Sequence, residues 1–167
     1  MKYDVLRDQI RSGDLLAWSQ KGIHSLGDIV SHGIRFATES EYQHVGMAWV
    51  SGGRIFVIEA YPPEIRVRPL SDLTPFYHVN MNVQWNHEVE RFLLDRVGQK
   101  YSYLEAIRAY FGRPIKNNQL WECGEFAHDF YATAGIDLGD AYTPAEVVEA
   151  ALKQDVYPNP VLNYITA

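Results

Sequence analysis

Ser51-Gly52-Gly53 separates two runs of strand character, His44 to Val50 and Arg54 to Ala60, and no other part of the chain constrains the fold as strongly. Small residues between such runs read as a tight hairpin, because the turns that match strand twist need positive φ at their centre. A two-residue turn, at Ser51-Gly52 or at Gly52-Gly53, puts His44 and Glu59 on one face of the ribbon, directly opposite or diagonal; a three-residue loop separates them. One face then carries Val45, Met47, Trp49, Phe56, Ile58 and Ala60. The other carries Gly46, Ala48, Val50, Ile55 and Val57 beside His44 and Glu59. Both faces are apolar, so the hairpin belongs at the centre of a sheet. A carboxylate buried there needs a partner, and the His44 imidazole is the natural one.

Around this hairpin the chain reads first as strands, then as helices. A turn at Ser12-Gly13-Asp14 leads into a strand over Leu15 to Trp18, and Leu26, Ile29, Val30 and Ile34 predict a helix within His24 to Phe36. Short strands are expected at Ile65 to Arg68, between Pro62-Pro63 and Pro69, and at His78 to Trp85. Val89, Phe92, Leu93 and Val97 recur at helical spacing and stop at Gly98; Leu104, Ile107 and Phe111 do the same before Gly112. A third such helix starts near Trp121 and runs through Phe126, Ala127, Phe130 and Ala134 to Gly135. Thr143, Pro144 and Glu146 form a capping-box start for a fourth.

At 167 residues, 47% hydrophobic and 22% charged, the chain reads as a single domain over residues 1–167. Fifteen basic against 21 acidic residues give a net charge of -6 with no basic run, so nucleic acid is not an expected partner. No segment reaches the roughly 18 apolar residues of an integral membrane span. The opening MKYDVLRDQIRSGD lacks the apolar core of a signal peptide, which makes a cytoplasmic location the default expectation. One cysteine rules out an internal disulfide and a thiolate-rich zinc site, so Cys123 is a buried structural thiol, a surface accident or a nucleophile.

The position of Cys123 at a predicted helix start favours the nucleophile, because unpaired backbone amides and the helix dipole there lower a thiol pKa and can hold an oxyanion. A thiolate needs a base that also protonates the leaving group, and the base needs a third group to orient it. His44 and Glu59 fit those roles. Taken singly, each residue has a plainer reading: a small buried hydrophobe, a histidine hydrogen-bonded within a sheet, and a strand-end carboxylate in solvent. Elsewhere, His24, Asp28 and His32 share a helix face at i, i+4 and i+8, a spacing read as a solvated stripe rather than a metal grip. Glu125-x-x-His128 is read as surface. Neither a metal nor another cofactor is expected.

Several motifs, in order along most of the chain, resemble those of the circularly permuted NlpC-type, YiiX-like cysteine hydrolases, relatives of the lecithin retinol acyltransferases. They are Gly13-Asp14-Leu15-Leu16, Gln43-His44-Val45-Gly46-Met47, Val57-Ile58-Glu59-Ala60, Gly98-x-x-Tyr101, Trp121-Glu122-Cys123-Gly124-Glu125-Phe126 and Tyr142-Thr143-Pro144. The resemblance implies an α+β, permuted papain-like (NlpC-type) fold, with a central antiparallel sheet or partial barrel packed against helices and the histidine strand preceding the cysteine helix. It also implies Cys123 as nucleophile, His44 as general base and then acid, and Glu59 as the residue that orients the imidazole. Gln43 and Gly124 stand where the family often has Ser. Gly124 is then expected to let substrate approach the backbone, and Gln43 to donate a hydrogen bond. Tyr42 is an oxyanion or substrate candidate weighed against a packed tyrosine, and Glu125 is expected at the helix start as a capping carboxylate.

The expectation is therefore a thiol hydrolase acting on peptide-like amides through a Cys123 acyl-enzyme, with peptidoglycan fragments the substrates that the resemblance implies. The alternatives are a lipid acyl ester or amide hydrolase or acyltransferase, a catalytically silent peptide-binding module, and a metal-dependent enzyme built on the histidines. An extracytoplasmic wall substrate is in tension with the missing leader. Another delivery route, imported wall fragments, a bacteriophage origin, or a cytosolic lipid or isopeptide substrate would each remove that tension.

Overall fold

The computed structural model describes residues 1–19, 41–102, 121–155 and 159–167. The helices expected within His24 to Phe36 and around Leu104 to Phe111 fall outside these residues, as do His24, Asp28 and His32 themselves.

A short helix α1 (Tyr3–Leu6) and a 3-10 turn (Arg7–Gln9) lead to strand β1 (Leu15–Ser19). The long hairpin follows as β2 (Tyr42–Ser51) and β3 (Arg54–Tyr61), then β4 (Glu64–Pro69), a second 3-10 turn (Leu70–Leu73) and β5 (Phe76–Val79). Helices α2 (His87–Leu94), α3 (Cys123–Thr133) and α4 (Pro144–Leu152) precede β6 (Leu162–Ile165). The strands form one six-stranded antiparallel sheet in the order β4-β3-β2-β1-β5-β6. The architecture is α+β, with the hairpin strands inside the sheet as their two apolar faces require.

Ser51 pairs with Arg54, so the turn is the two-residue Gly52-Gly53 loop, with φ of +57° and +75°. Both positions need positive φ, which glycine adopts without steric cost. This register divides the hairpin between two cores. Val45, Met47, Ile58 and Ala60 pack with Phe126, Ala127 and Phe130 of α3 and Val147, Val148 and Ala151 of α4. Ala48, Ile55 and Val57 pack on the far face with Leu16, Trp18, Phe76, Leu70 and the N-terminal Leu6 and Ile10. The period-2 alternation of strand side chains produces this split. Truncating Phe126 or Phe130 to Ala, both fully buried, is expected to cost about 3–5 kcal/mol.

Helix α4 starts with the reciprocal Thr143 and Glu146 capping box, with Pro144 inside its first turn. Helix α3 ends at Thr133, and Gly135 just past its cap has a φ of +78°. Two boundaries differ from expectation. Strand β5 stops at Val79 rather than reaching Trp85, because Asn82 has a φ of 50° and the Asn80 side chain accepts the Val161 amide. Helix α2 stops at Leu94 rather than running on through Val97, because the amides of Arg96 and Val97 bond three residues back and tighten the last turn before Gly98.

Candidate active site

Past the Met47 and Ile58 pair the β2–β3 ladder ends, and the open end of the hairpin holds the candidate chemistry. His44 and Glu59 lie diagonally on one face, with Nε2 2.6 Å from Oε2 and exposures of 8% and 2%. Gly46 makes the room for them: a Cβ there would lie 3.1 Å from the Glu59 Cβ and 2.7 Å from Val57 Cγ2. On the other side of β3, Arg66 of β4 pairs with Glu59 in register and donates from Nε to Oε1 at 2.8 Å. The two carboxylate oxygens are thus divided between an imidazole and a guanidinium. Burial pushes the Glu59 carboxyl up, but His44 and then Arg66 outweigh it and hold the group below its ordinary value. Arg66 also lies 3.5 Å from the Tyr61 ring centroid, and the His44 ring packs between Trp18 and Tyr61 at 5.4 and 5.5 Å.

Cys123 is the first residue of α3, 5% exposed and packed in the helix-side core. The backbone of Ala48 bonds toward β1, through Asp14 and Gly13, so by alternation the Val45 amide points toward β3. Val45 lies past the end of the ladder, and its amide is near enough to the Cys123 sulfur to favour the thiolate. The start of α3 therefore lies beside the peptide that joins His44 to Val45. The imidazole leaves β2 on the opposite face, beside Trp18, and among the described residues no hydrogen bond joins His44 to Cys123.

The thiol does not have the depressed pKa expected of it. Burial pushes Cys123 well above its ordinary value and the neighbouring Glu122 carboxylate adds to this, while the amides of Val45 and Gly124 pull the other way and lose. Glu122, 3% exposed, caps α3 by accepting the Glu125 amide, and its Oε2 lies 3.7 Å from the Cys123 sulfur. Burial pushes its carboxyl up to about 7, partly offset by the Glu125 and Gly124 amides. The Glu125 amide, one of those expected to be available to an oxyanion, is engaged by Glu122.

The remaining candidates have these surroundings. A Cβ at Gly124 would overlap the carbonyl oxygen of Tyr142, so the segment before α4 requires the glycine. Tyr42 is buried and edge-on to Tyr77 at 5.2 Å; burial first, then Glu41 and Tyr77, push its phenol up to about 12. Gln43 is half-buried at a register shift, where Ser19 pairs with Tyr42 but Trp18 with His44, and is the extra residue of a bulge. Glu125 sits in the first turn of α3, but the cap is Glu122. His128 is half-buried rather than on the surface, with Nε2 3.0 Å from the Gly139 carbonyl and its ring 4.5 Å from that of Tyr142.

Sequence reasoning missed Arg66, Glu122 and a second buried pair. The strand over Ile65 to Arg68 was legible, but its pairing with β3 depends on the length of the Pro62-Pro63 turn, which spacing leaves open. Glu122 directly precedes the cysteine, the place of an N-cap if the helix starts at Cys123 rather than near Trp121. His78 Nε2 lies 2.8 Å from Asp14 Oδ2, and Asp14 also accepts the amides of Arg11 and Met81. That pair staples the turn before β1 to β5.

No family model matches the chain, and no curated protein does. Among solved structures it is similar to the metalloprotein yiiX from Escherichia coli O157:H7, with a TM-score of 0.57 and 17% sequence identity. The match covers 95% of this chain and 89% of that one. The likeness is one of fold. Among the described residues no helix is long and apolar enough to cross a membrane.

Proposed function

We propose that the chain is a thiol hydrolase of peptide-like amides with a circularly permuted papain-like arrangement, in which Cys123 is the nucleophile, His44 the general base and then acid, and Glu59 the group that orients the imidazole. One observation carries the reading: a sole cysteine at a helix start lies by the backbone next to a histidine that a buried carboxylate holds. Because Glu59 occupies Nε2, Nδ1 is the nitrogen left for the thiol. No hydrogen bond joins the two side chains at rest, so the reading requires a rearrangement of the β2 end that brings the imidazole from the Trp18 side to the sulfur. Cys123 then passes its proton to His44 as its sulfur bonds the carbonyl carbon, and the imidazolium gives that proton to the departing amine. Water, deprotonated by His44, next cleaves the thioester and restores the thiol. Arg66 supports the sequence indirectly, by fixing the carboxylate that fixes the ring.

The motif order that resembles the NlpC-type hydrolases favours cell-wall-type peptides as substrates, with lipid esters or acyl transfer as the reading from the retinol acyltransferase branch. The fold neighbour is described as a metalloprotein, which keeps a metal-dependent reaction as the rival. Among the described residues no three His, Cys, Asp or Glu side chains gather as a metal site, and His24, Asp28 and His32 are outside them. The test is hydrolysis of a panel of peptide amides, wall-fragment peptides and acyl esters by wild type, Cys123→Ala and His44→Ala, with and without a chelator. The thiol reading expects no turnover in Cys123→Ala, a loss of about 10²–10⁴ in His44→Ala, and no effect of the chelator. Activity that survives Cys123→Ala but is abolished by the chelator sinks it in favour of the metal reading.

A further inference from the structure

Glu122 is the charged side chain that touches the candidate nucleophile. It is buried, it immediately precedes Cys123, and its two oxygens are divided: Oε1 accepts the Glu125 amide at the start of α3 while Oε2 faces the sulfur at 3.7 Å. Neither oxygen has a basic partner among the described residues, in contrast with Glu59. A negative charge beside a sulfur opposes its ionisation, and burial leaves little water to screen the effect.

We propose that Glu122 is the positioning residue that adds to burial in holding Cys123 as a neutral thiol at rest, so that taking away the carboxylate charge makes the sulfur easier to ionise. This rests on the reading of Cys123 as the reacting group, although the ionisation itself is measurable without turnover. The proton lost by the sulfur and the proton gained by the carboxyl are coupled, so the two groups titrate as a pair. The raised Glu122 and Cys123 values agree in direction with this coupling. The other titratable group acting on Glu122 is Glu125 in the same turn, and the Tyr142 backbone carbonyl is laid over Gly124 beside it. None of the described neighbours brings a permanent positive charge to it. A thiol held neutral in this way resists alkylation and oxidation between turnovers, because the thiolate is the reactive form.

The experiment is the rate of Cys123 alkylation by iodoacetamide against pH, read by intact mass, in wild type, Glu122→Gln and Glu122→Asp. Gln keeps an oxygen for the Glu125 amide and removes the charge, so the midpoint of its alkylation profile falls by about one pH unit, about tenfold faster labelling at neutral pH. Asp keeps the charge but withdraws it from the sulfur, and gives a smaller shift in the same direction; it carries the test alone if the Gln variant does not fold. Profiles of the folded variants that superimpose on wild type overturn the proposal. Absence of hydrolysis in every protein, with the alkylation shift present, rejects the proposed reaction and leaves this inference standing; intact hydrolysis with superimposed profiles rejects the inference alone.

Discussion

Glu59 and Glu122 are the same residue type at nearly the same burial, 2% and 3% exposed, yet their carboxyls are displaced in opposite directions. Glu59 lies between an imidazole and a guanidinium and is held ionised; Glu122 has backbone amides and a thiol for company and is pushed up to about 7. Burial is therefore not what decides a buried carboxylate's charge: it acts on both, and partners decide which sign wins. The contrast divides the labour of the candidate site. On the proposed reading, one carboxylate anchors the base and the other governs the nucleophile.

The largest expected effect comes from breaking the Glu59 side. Glu59→Ala strands Arg66 and His44 in a largely buried pocket, and chemical denaturation should show a loss of about 3–5 kcal/mol.

The pH dependence of stability sharpens the comparison, because the two groups have opposite signs. The Glu59 pKa is lowered on folding, so its contribution is present above the ordinary carboxylate value and is lost as pH falls through the folded value. The Glu122 pKa is raised from 4.5 to about 7, so its contribution is complete below 4.5 and is lost as pH rises through about 7. Denaturation curves of wild type between pH 5 and 8 should show an alkaline loss of about 3 kcal/mol from this group, which Glu122→Gln removes. A variant that keeps the whole alkaline loss contradicts the assignment.

Gly124→Ala probes what keeps Glu122 dry. Its Cβ would overlap the Tyr142 carbonyl and come within 2.8 Å of Glu122 Oε1, forcing the segment before α4 to move. A cost of about 1–3 kcal/mol in thermal denaturation is expected, together with a Glu122 titration moved back toward 4.5 by carboxyl NMR. The smallest effect should be that of Arg66→Met. Its guanidinium is 28% exposed, so the loss is about 1 kcal/mol, read together with a rise in the Glu59 pKa. Unchanged Glu59 titration in that variant would show that His44 alone keeps the carboxylate ionised.

The hairpin and its pairing of His44 with Glu59 were legible because a two-residue glycine turn sets register, and register sets which side chains share a face. Helices α3 and α4 were legible from periodicity and caps, with Cys123 at the start of α3. What the sequence did not disclose depends on distances between segments far apart in it. Arg66 reaches Glu59 only through the β3–β4 register, and His78 meets Asp14 across 64 residues. The thiol pKa was misread for a related reason. A helix start is a local feature visible in sequence, whereas the burial of Cys123 and the facing of Glu122 Oε2 toward its sulfur are products of packing. Short elements such as α1 and β6, four residues each, carry too few positions for a period to show.

The central claim is that Cys123 forms an acyl-enzyme with the help of His44. Its most direct measurement is intact mass after brief reaction with an activated acyl ester, comparing wild type, His44→Ala and Glu59→Gln. The account predicts one acyl group on Cys123 in wild type that disappears with time, no accumulation in His44→Ala, and slowed formation in Glu59→Gln. An adduct that forms as fast without the imidazole, or none in any of the three folded proteins, would contradict it.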